Sequence, residues 1–261
     1  MFDLATETIV FLATAAFLAG FVDSIAGGGG LIAMPALLLA GFGPVEALGT
    51  NKLQGLFGTA SATYSYASKG LVDLSTQWRW AVLAFAGAVA GALLAAIIPA
   101  DMLRLALPVL LIAIAVYFAL KPNMDDVDRA RRITPFLFGA TVVPLIGFYD
   151  GVFGPGTGSF LMLAFVSLAG YGVLKATAHT KLINFASNLG GFVAFAAIGV
   201  VAWKVGVVMG AAQFLGARLG AALAMKTGAR LIKPLLILVC CALAIRLLLD
   251  GSNPLWGWLR S

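Results

Sequence analysis

The chain has 261 residues, of which 61% are hydrophobic and 11% charged, and its formal net charge at pH 7 is +6. A soluble domain of this length needs more charge on its surface, so the composition excludes a soluble protein. The basic balance does not indicate nucleic-acid binding, since no basic run with interleaved aromatic residues is present. Apolar runs of about 17–25 residues, the length that crosses a bilayer, predict an all-α polytopic membrane protein.

The first half of the chain predicts long apolar spans interrupted by one short segment. The first span covers residues 5–26, and four glycines at 27–30 disfavour its continuation as a helix. Residues 31–42 are apolar but too short to cross a bilayer of about 30 Å comfortably. The next span begins at Pro44, a favourable residue for a first helical turn, and runs to residue 67. Two further spans are predicted at 78–98 and 102–120.

The second half repeats this plan after a charged segment at 121–132, which we interpret as a solvated cytoplasmic linker. The repeat begins with a span at 133–150, a glycine-rich break at 154–158 and a short apolar segment at 159–169. Long spans follow at 173–199, 203–225 and 231–249. The last span contains Cys240 and Cys241, whose adjacent positions in a helix argue against a disulfide between them. The predicted domains are a repeat at 1–120, the linker at 121–132 and a repeat at 133–261.

Matched residues in the two halves indicate an internal duplication. Asp23 and Asp150 are 127 residues apart, and Lys52 and Lys181 are 129 apart. Small residues spaced by four, which let membrane helices approach closely, recur at the same spacing of 129. These small residues are Gly87 and Gly91 in the first half and Gly216 and Gly220 in the second.

The sequence leaves two topologies open. If the short segments are re-entrant, the chain has eight spans and the halves run parallel. If they cross, each half has five elements, and the odd number inverts the second half. The inverted arrangement puts most basic loop residues on the cytoplasmic side, as the positive-inside rule requires. These are Lys69, Arg79, the 121–132 linker, Lys226, Arg230 and Lys233, whereas Arg104, Lys204 and Arg260 lie outside. We therefore expect eight full spans plus two half-length segments, inverted as 5+5.

Ionisable residues within the spans are the candidates for function, because each costs at least about 2.5–3.5 kcal/mol in the bilayer. Lys52 and Lys181 occupy equivalent positions among residues that form hydrogen bonds. Two ammonium groups, several amides and the amides at the glycine breaks predict a site for a small anion. The alternative is that each lysine extends to a membrane interface. The predicted substrate-binding residues are Gly28, Gly29, Asn51, Lys52, Gln54, Gly156, Gly158, Thr180, Lys181, Asn184 and Asn188.

Five other ionisable residues allow several roles. Asp23 and Asp150 are candidates for pairing with the lysines, capping a half-helix or carrying a coupling proton. His179 suits proton coupling by its ordinary pKa, with helix packing as the alternative. Arg246, near a span end, fits an interfacial position, whereas Arg218 interrupts a helix of small residues.

No enzyme constellation emerges from the sequence. With one histidine there is no metal-ligand cluster, and the glycine breaks follow helices rather than strands. We therefore predict no metal, no cofactor and no catalytic residue, and an intramembrane enzyme remains only an alternative class of function.

Paired motifs in the two halves resemble the signatures of the TauE/SafE family, also called the toluene sulfonate uptake permease family. They are GFVDSIAGGGG with GTNKLQ, and GFYDGVFGPGTGSF with ATAHTKLINFASNLG. The resemblance covers essentially the whole chain and implies secondary transport of sulfite, sulfoacetate or other organosulfonates, usually as export. The polar motif positions of the family fall on Asn51, Lys52, Gln54, His179, Thr180, Lys181, Asn184 and Asn188.

Together these observations predict a multi-pass transporter of the bacterial inner membrane that works by alternating access at a site between two repeats. The expected partners are a small anionic substrate, protons as a candidate coupling ion, and the lipid bilayer. A transporter or channel for carboxylate, sulfate or thiosulfate is the alternative. The oligomeric state stays open, a homodimer included.

Overall fold

The computed structural model describes residues 5–98 and 125–228, together with the isolated positions Val116, Pro234, Leu238 and Ile245. Within these residues every regular element is a helix, which confirms the all-α prediction for this part of the chain. The predicted spans 102–120 and 231–249, with Cys240, Cys241 and Arg246, lie outside the described residues. The helices are α1 (Thr6–Ala26), α2 (Gly30–Leu39), α3 (Pro44–Ala67), α4 (Leu74–Ala95), α5 (Pro135–Val152), α6 (Thr157–Ser167), α7 (Val173–Ala197) and α8 (Trp203–Thr227).

Helix length and polarity divide these elements into three kinds. In the described part of the chain α1, α4, α5 and α8 are long and apolar enough to cross a membrane. The helices α2 and α6 are apolar but have only 10 and 11 residues. The helices α3 and α7 have 24 and 25 residues, and they contain the polar clusters that lower their hydropathy. Six of the eight predicted full spans are therefore long helices in this region, and the other two fall outside it.

The outer helices pack through their glycines against the opposite half of the chain. A Cβ at Gly216 would overlap the carbonyl oxygen of Phe17, which brings α8 against α1. A Cβ at Gly91 would overlap the carbonyl oxygen of Phe148, which brings α4 against α5. These are the predicted small-residue motifs, and each one packs the last helix described in its own half against the first helix of the other half.

The short helices fold back along the helices that precede them. Tyr149 and Phe138 of α5 contact Phe160 and Phe165 of α6, with 5.0 Å between ring centroids in both pairs. Residues near the end of α5 thus meet the start of α6, and the start of α5 meets its end. In the first half Gly29 lies against Ala19 and Asp23 in the same way. The chain therefore forms two helical hairpins, α1–α2 and α5–α6.

The tips of the two hairpins touch at the centre of the bundle. A Cβ at Gly158 would lie 2.8 Å from the Cα of Gly27, and Ser159 Oγ donates to the Ala26 carbonyl at 3.3 Å. Gly27 and Gly154, which are equivalent in the duplication, have φ angles of 80° and 79°. This left-handed conformation is unfavourable for residues with a side chain, so the glycines are required for the turn from each long helix into its short one.

The charged segment 125–132 is exposed but anchored to the first turn of α7. The carboxylates of Asp126 and Asp128 accept from the N–H groups of Leu174 and Gly172, at 2.9 Å and 2.8 Å. Asp128 also lies 2.5 Å from the Lys175 ammonium. The Gly172 N–H and then Lys175 hold the pKa of the Asp128 carboxyl below its ordinary value. The sequence predicts a solvated loop here, and the segment also satisfies amides that a helix start leaves unpaired.

Candidate functional site

A small cavity of about 20 Å³ lies where the two hairpin tips meet the polar parts of α3 and α7. This volume has room for about one water molecule, so the described conformation has no space for an anion larger than water. The two half-helices α2 and α6 both begin at the cavity wall, at Gly30 and Thr157. Its lining consists of Asp23, Gly28, Gly29, Gly30, Asn51, Gly55, Thr59, Asp150, Gly154, Gly156, Thr157, Gly158, Asn184, Asn188 and Gln213.

Lys52 of the first half pairs with Asp150 of the second. Their Nζ and Oδ1 atoms are 2.7 Å apart, and the two side chains are 0% and 2% exposed. The lysine side chain reaches this position past Gly191 of α7, where a Cβ would lie 3.1 Å from Lys52 Cδ. Thr157 Oγ1 also donates to Asp150 Oδ1, at 2.7 Å. The second carboxylate oxygen of Asp150 is buried and has no hydrogen-bond partner among the described residues.

Lys181 of the second half pairs with Asp23 of the first. Its Nζ lies 3.1 Å from Asp23 Oδ2 and also donates to the backbone carbonyl of Asp23. Gly29 N donates to Asp23 Oδ1 at 3.0 Å, immediately before the start of α2. Both oxygens of the Asp23 carboxylate therefore have partners, which distinguishes it from Asp150.

The two ion pairs cross between the halves. Both lysine side chains are 0% exposed, which excludes the alternative that they extend to an interface. Both aspartates pair with a lysine, which is one of the three roles that the sequence allows for them. Asp23 also accepts from the backbone ahead of a half-helix. Because a lone buried charge is costly, each pair makes the folding of one half depend on the other.

The cavity itself is lined by the amides and carboxylates rather than by the lysines. Gln54 Nε2 donates to Asn51 Oδ1 at 2.9 Å, and Asn188 Nδ2 donates to Asn184 Oδ1 at 3.0 Å. These contacts connect residues three and four apart on one helix face, as their spacing predicts. Lys52 and Lys181 contact the carboxylates that line the cavity, and neither lysine is among the lining residues. Thr180 and Gln54 are buried, and they too are not among the lining residues.

His179 lies away from the central cavity. Its ring packs at right angles to Tyr171 and Phe165, with centroids 4.9 Å and 6.0 Å apart, and it makes a backbone hydrogen bond with Leu71. These contacts match helix packing, which is one of the two roles that the sequence allows for His179. Arg218 is exposed on the outer face of α8.

Six lining residues are absent from the predicted set: Gly55, Thr59, Gly30, Gly154, Thr157 and Gln213. Of these, Gly30, Gly154 and Thr157 belong to the predicted glycine-rich breaks. The spacing of 129 matches Gly55 with Asn184 and Thr59 with Asn188, so the duplication contained the signal for the first two. Gln213 has Ala84 at its matched position. Its only signal in the sequence is an amide side chain within a helix of small residues.

This architecture, two broken helical hairpins that meet at a polar site inside a helical bundle, is typical of secondary transporters. The family model described as Sulfite exporter TauE/SafE matches residues 12–247. The chain therefore belongs to the TauE/SafE family of membrane transporters, and it is a multi-pass bacterial membrane protein.

Several curated proteins are similar over nearly their full lengths. A probable membrane transporter protein ORF9 of Sinorhizobium sp is 63% identical over 259 residues, which is 99% of both chains. The probable membrane transporter protein YfcA of Escherichia coli K12 is 47% identical, covering 94% of this chain and 91% of its own length. A probable membrane transporter protein of Haemophilus influenzae is 43% identical over 99% of both. No solved structure matches significantly.

Proposed function

We propose that this protein is a secondary active transporter that exports small sulfur-containing anions, such as sulfite, sulfoacetate or another organosulfonate. The observation that carries the proposal is the polar central cavity, where two half-helices begin next to two buried lysine–aspartate pairs. Helix starts have partial positive charge and favour an anion. The description of the matching family names sulfite export, which supports this substrate class and direction.

The proposal includes an inverted topology, in which the two halves of the chain cross the membrane in opposite directions. Contacts at the two ends of the bundle support this topology. At one end the α7–α8 turn meets the start of α3, where Ala202 N donates to Thr50 Oγ1 at 3.0 Å. We call the other end the linker end, because residues 125–132 lie there. At the linker end Arg132 N donates to the Leu168 carbonyl, after α6. The α5–α6 hairpin thus opens toward the linker end, and α1–α2 opens toward the start of α3, at the opposite end.

The distribution of positive residues gives the orientation of the proposed topology. The linker end contains most of the described basic residues outside the helix interiors, and the opposite end contains Lys204. By the positive-inside rule the linker end is cytoplasmic. Its basic residues are Lys69, Arg79, Arg129, Arg131, Arg132, Lys175 and Lys226.

Transport requires the two ion pairs to change, because the cavity has no room for an anion in the described conformation. The pairs are neutral as they stand, so an entering anion adds an uncompensated charge in a low-dielectric site. A proton on one aspartate removes this charge and frees the paired lysine for the anion. Asp150 suits this role better than Asp23, because one of its oxygens has no partner among the described residues. Anion and proton then move together, and export proceeds where the cytoplasmic anion concentration is high.

Reconstitution in proteoliposomes tests the function directly. We expect saturable efflux of sulfite or sulfoacetate from preloaded vesicles, with a rate that changes under an imposed pH gradient. Protein-free vesicles measure the leak. Thermal-shift screening against sulfite, sulfate, thiosulfate, taurine, sulfoacetate and carboxylate analogues ranks the substrates. Transport of carboxylates but not of sulfur anions would contradict the substrate class. Large currents that do not saturate would identify a channel instead of a carrier.

Gln213→Leu is expected to weaken anion binding with little effect on folding. The substitution retains most of the side-chain volume and removes an amide at the cavity wall, whose Oε1 has no partner among the described residues. Loss of one hydrogen bond of about 1 kcal/mol corresponds to a roughly fivefold increase in KM for efflux. Gln77→Leu is the matched control, since Gln77 is 1% exposed and is not among the cavity residues. Equal KM values for the two variants would remove Gln213 from the site.

A further inference from the structure

A second and much larger cavity, of about 650 Å³, lies at the linker end of the bundle. It is formed between the first turns of α4, α5 and α7, and among the described residues it shares no lining residue with the central cavity. Neither the ion pairs nor the proposed transport mechanism uses it. We call it the linker-end groove.

Two arginines at the linker-end groove lack a carboxylate partner among the described residues. Arg79 and Arg131 both line the groove and are exposed, and neither forms an ion pair there. The Asp73 carboxylate also lines the groove, where it accepts from the N–H groups of Ser75 and Thr76 as the cap of α4. The third basic side chain of the groove, Lys175, is already paired with Asp128. The groove therefore presents two guanidinium groups that have no carboxylate partner in the described part of the chain, and that of Arg79 lies over the Trp78 ring, 5.4 Å from its centroid.

One side of the linker-end groove is apolar and exposed, whereas the rest of its lining includes the polar residues Asp73, Thr76, Tyr171, Lys175 and His179. Leu83 of α4 and Phe136 of α5 line it and are 37% and 82% exposed. The turn Phe138–Val142 of α5 is π-helical, and its Gly139 lies against the Trp80 indole. A π-helical turn widens the helix locally and is frequent at functional sites. Apolar side chains do not stabilise a small hydrated anion, whereas they do stabilise an acyl chain.

We propose that the linker-end groove binds a phospholipid with an anionic headgroup. The phosphate lies between Arg79 and Arg131, and an acyl chain follows the apolar wall past Phe136 and Leu83. Guanidinium groups form paired, charge-assisted hydrogen bonds with phosphate. Basic pockets between helices near the cytoplasmic surface recognise anionic lipids in this manner. The bound lipid bridges α4, α5 and α7, and it stabilises the folded protein in proportion to its occupancy.

Lipid titration of the delipidated full-length protein tests this proposal. We expect phosphatidylglycerol to raise Tm and to remain bound in native mass spectra, whereas phosphatidylcholine and inorganic phosphate have little effect. The double variant Arg79→Gln/Arg131→Gln should bind phosphatidylglycerol at least tenfold more weakly. Lys204→Gln, which removes an exposed charge at the opposite end, is the control and should bind normally.

Three outcomes would overturn the proposal. Equal binding of phosphatidylcholine would show that the headgroup charge is not recognised. An equal effect of inorganic phosphate would identify a site for soluble anions instead of lipid. Unchanged binding by the double arginine variant would place the lipid elsewhere. None of these readouts depends on transport, so they stay separate from the test of the proposed function.

Discussion

Lys52→Met is expected to abolish anion transport and to lower the free energy of unfolding by about 3–5 kcal/mol. The substitution leaves the Asp150 carboxylate buried, with Thr157 Oγ1 as its one remaining partner among the described residues. An unpaired charge of this kind costs more than the lost attraction itself, because water no longer solvates it. Thermal unfolding in detergent and efflux from proteoliposomes measure the two effects.

Lys52→Met/Asp150→Leu separates stability from transport. Replacing both members of a buried ion pair by apolar residues is often neutral or stabilising, so we expect Tm to return close to that of the unsubstituted protein. Transport should remain absent, because the ammonium group proposed to bind the anion and the carboxylate proposed to take the proton are both missing. Efflux from either variant at the unsubstituted rate would contradict the role of this pair. A double variant as unstable as Lys52→Met would show that the pair is not an isolated unit.

The equivalent double substitution in the Asp23 and Lys181 pair should restore Tm less completely. Asp23 accepts from Gly29 N as well as from Lys181, so leucine at this position leaves a buried amide without its partner. An unsatisfied buried donor costs about 1–3 kcal/mol. The difference in Tm between Lys181→Met/Asp23→Leu and the Lys52 and Asp150 double variant measures this asymmetry.

Gly91→Ala is the second substitution with a large expected effect. The added Cβ would overlap the Phe148 carbonyl oxygen and lie 3.0 Å from Val152 N, and both are backbone atoms that cannot rotate away. The helices α4 and α5 would have to separate along their whole contact. We expect a loss at the upper end of the range for overpacked cores, about 3 kcal/mol or more. Unfolding of purified protein and the yield of folded protein in membranes measure it.

Gly43→Ala is the matched control for this substitution. No heavy atom lies within 4 Å of a Cβ placed at Gly43, and its φ of −63° suits any residue. Its effect should stay below about 1 kcal/mol, the scale of a changed helix cap. If Gly91→Ala were as stable as Gly43→Ala, the close packing of α4 on α5 would be wrong.

Matched positions in the two halves of the sequence made much of this architecture predictable. The spacings of 127 and 129 identified the glycine breaks, the lysines and the aspartates, and helix lengths followed from apolar runs. Predicted and observed helices differ by at most four residues at either end, as for α4, predicted at 78–98 and found at Leu74–Ala95. These features are local, because they depend on the hydropathy and backbone preferences of one segment at a time.

The partners of the charged residues were not predictable in the same way. The sequence contains two lysines and two aspartates at equivalent positions, and pairing within a half or between halves satisfies the charges equally well. The outcome depends on how the halves cross, which no single segment determines. Gln213 was not predictable for the same reason, because its position in the cavity follows from the packing of α8 against α1. The direction of α2 depends on the backbone angles of Gly27 and Gly28, and the length of an apolar segment does not predict these angles.

The crossed ion pairs have a consequence for biosynthesis. Lys52 is made about 100 residues before Asp150, so at roughly 5–20 residues per second it waits on the order of 5–20 s for its partner. During this interval Lys52 and Asp23 both lack their native partners, so neither crossed ion pair forms until the second half arrives. A chain that stops at the linker therefore lacks both of the ion pairs that join the halves.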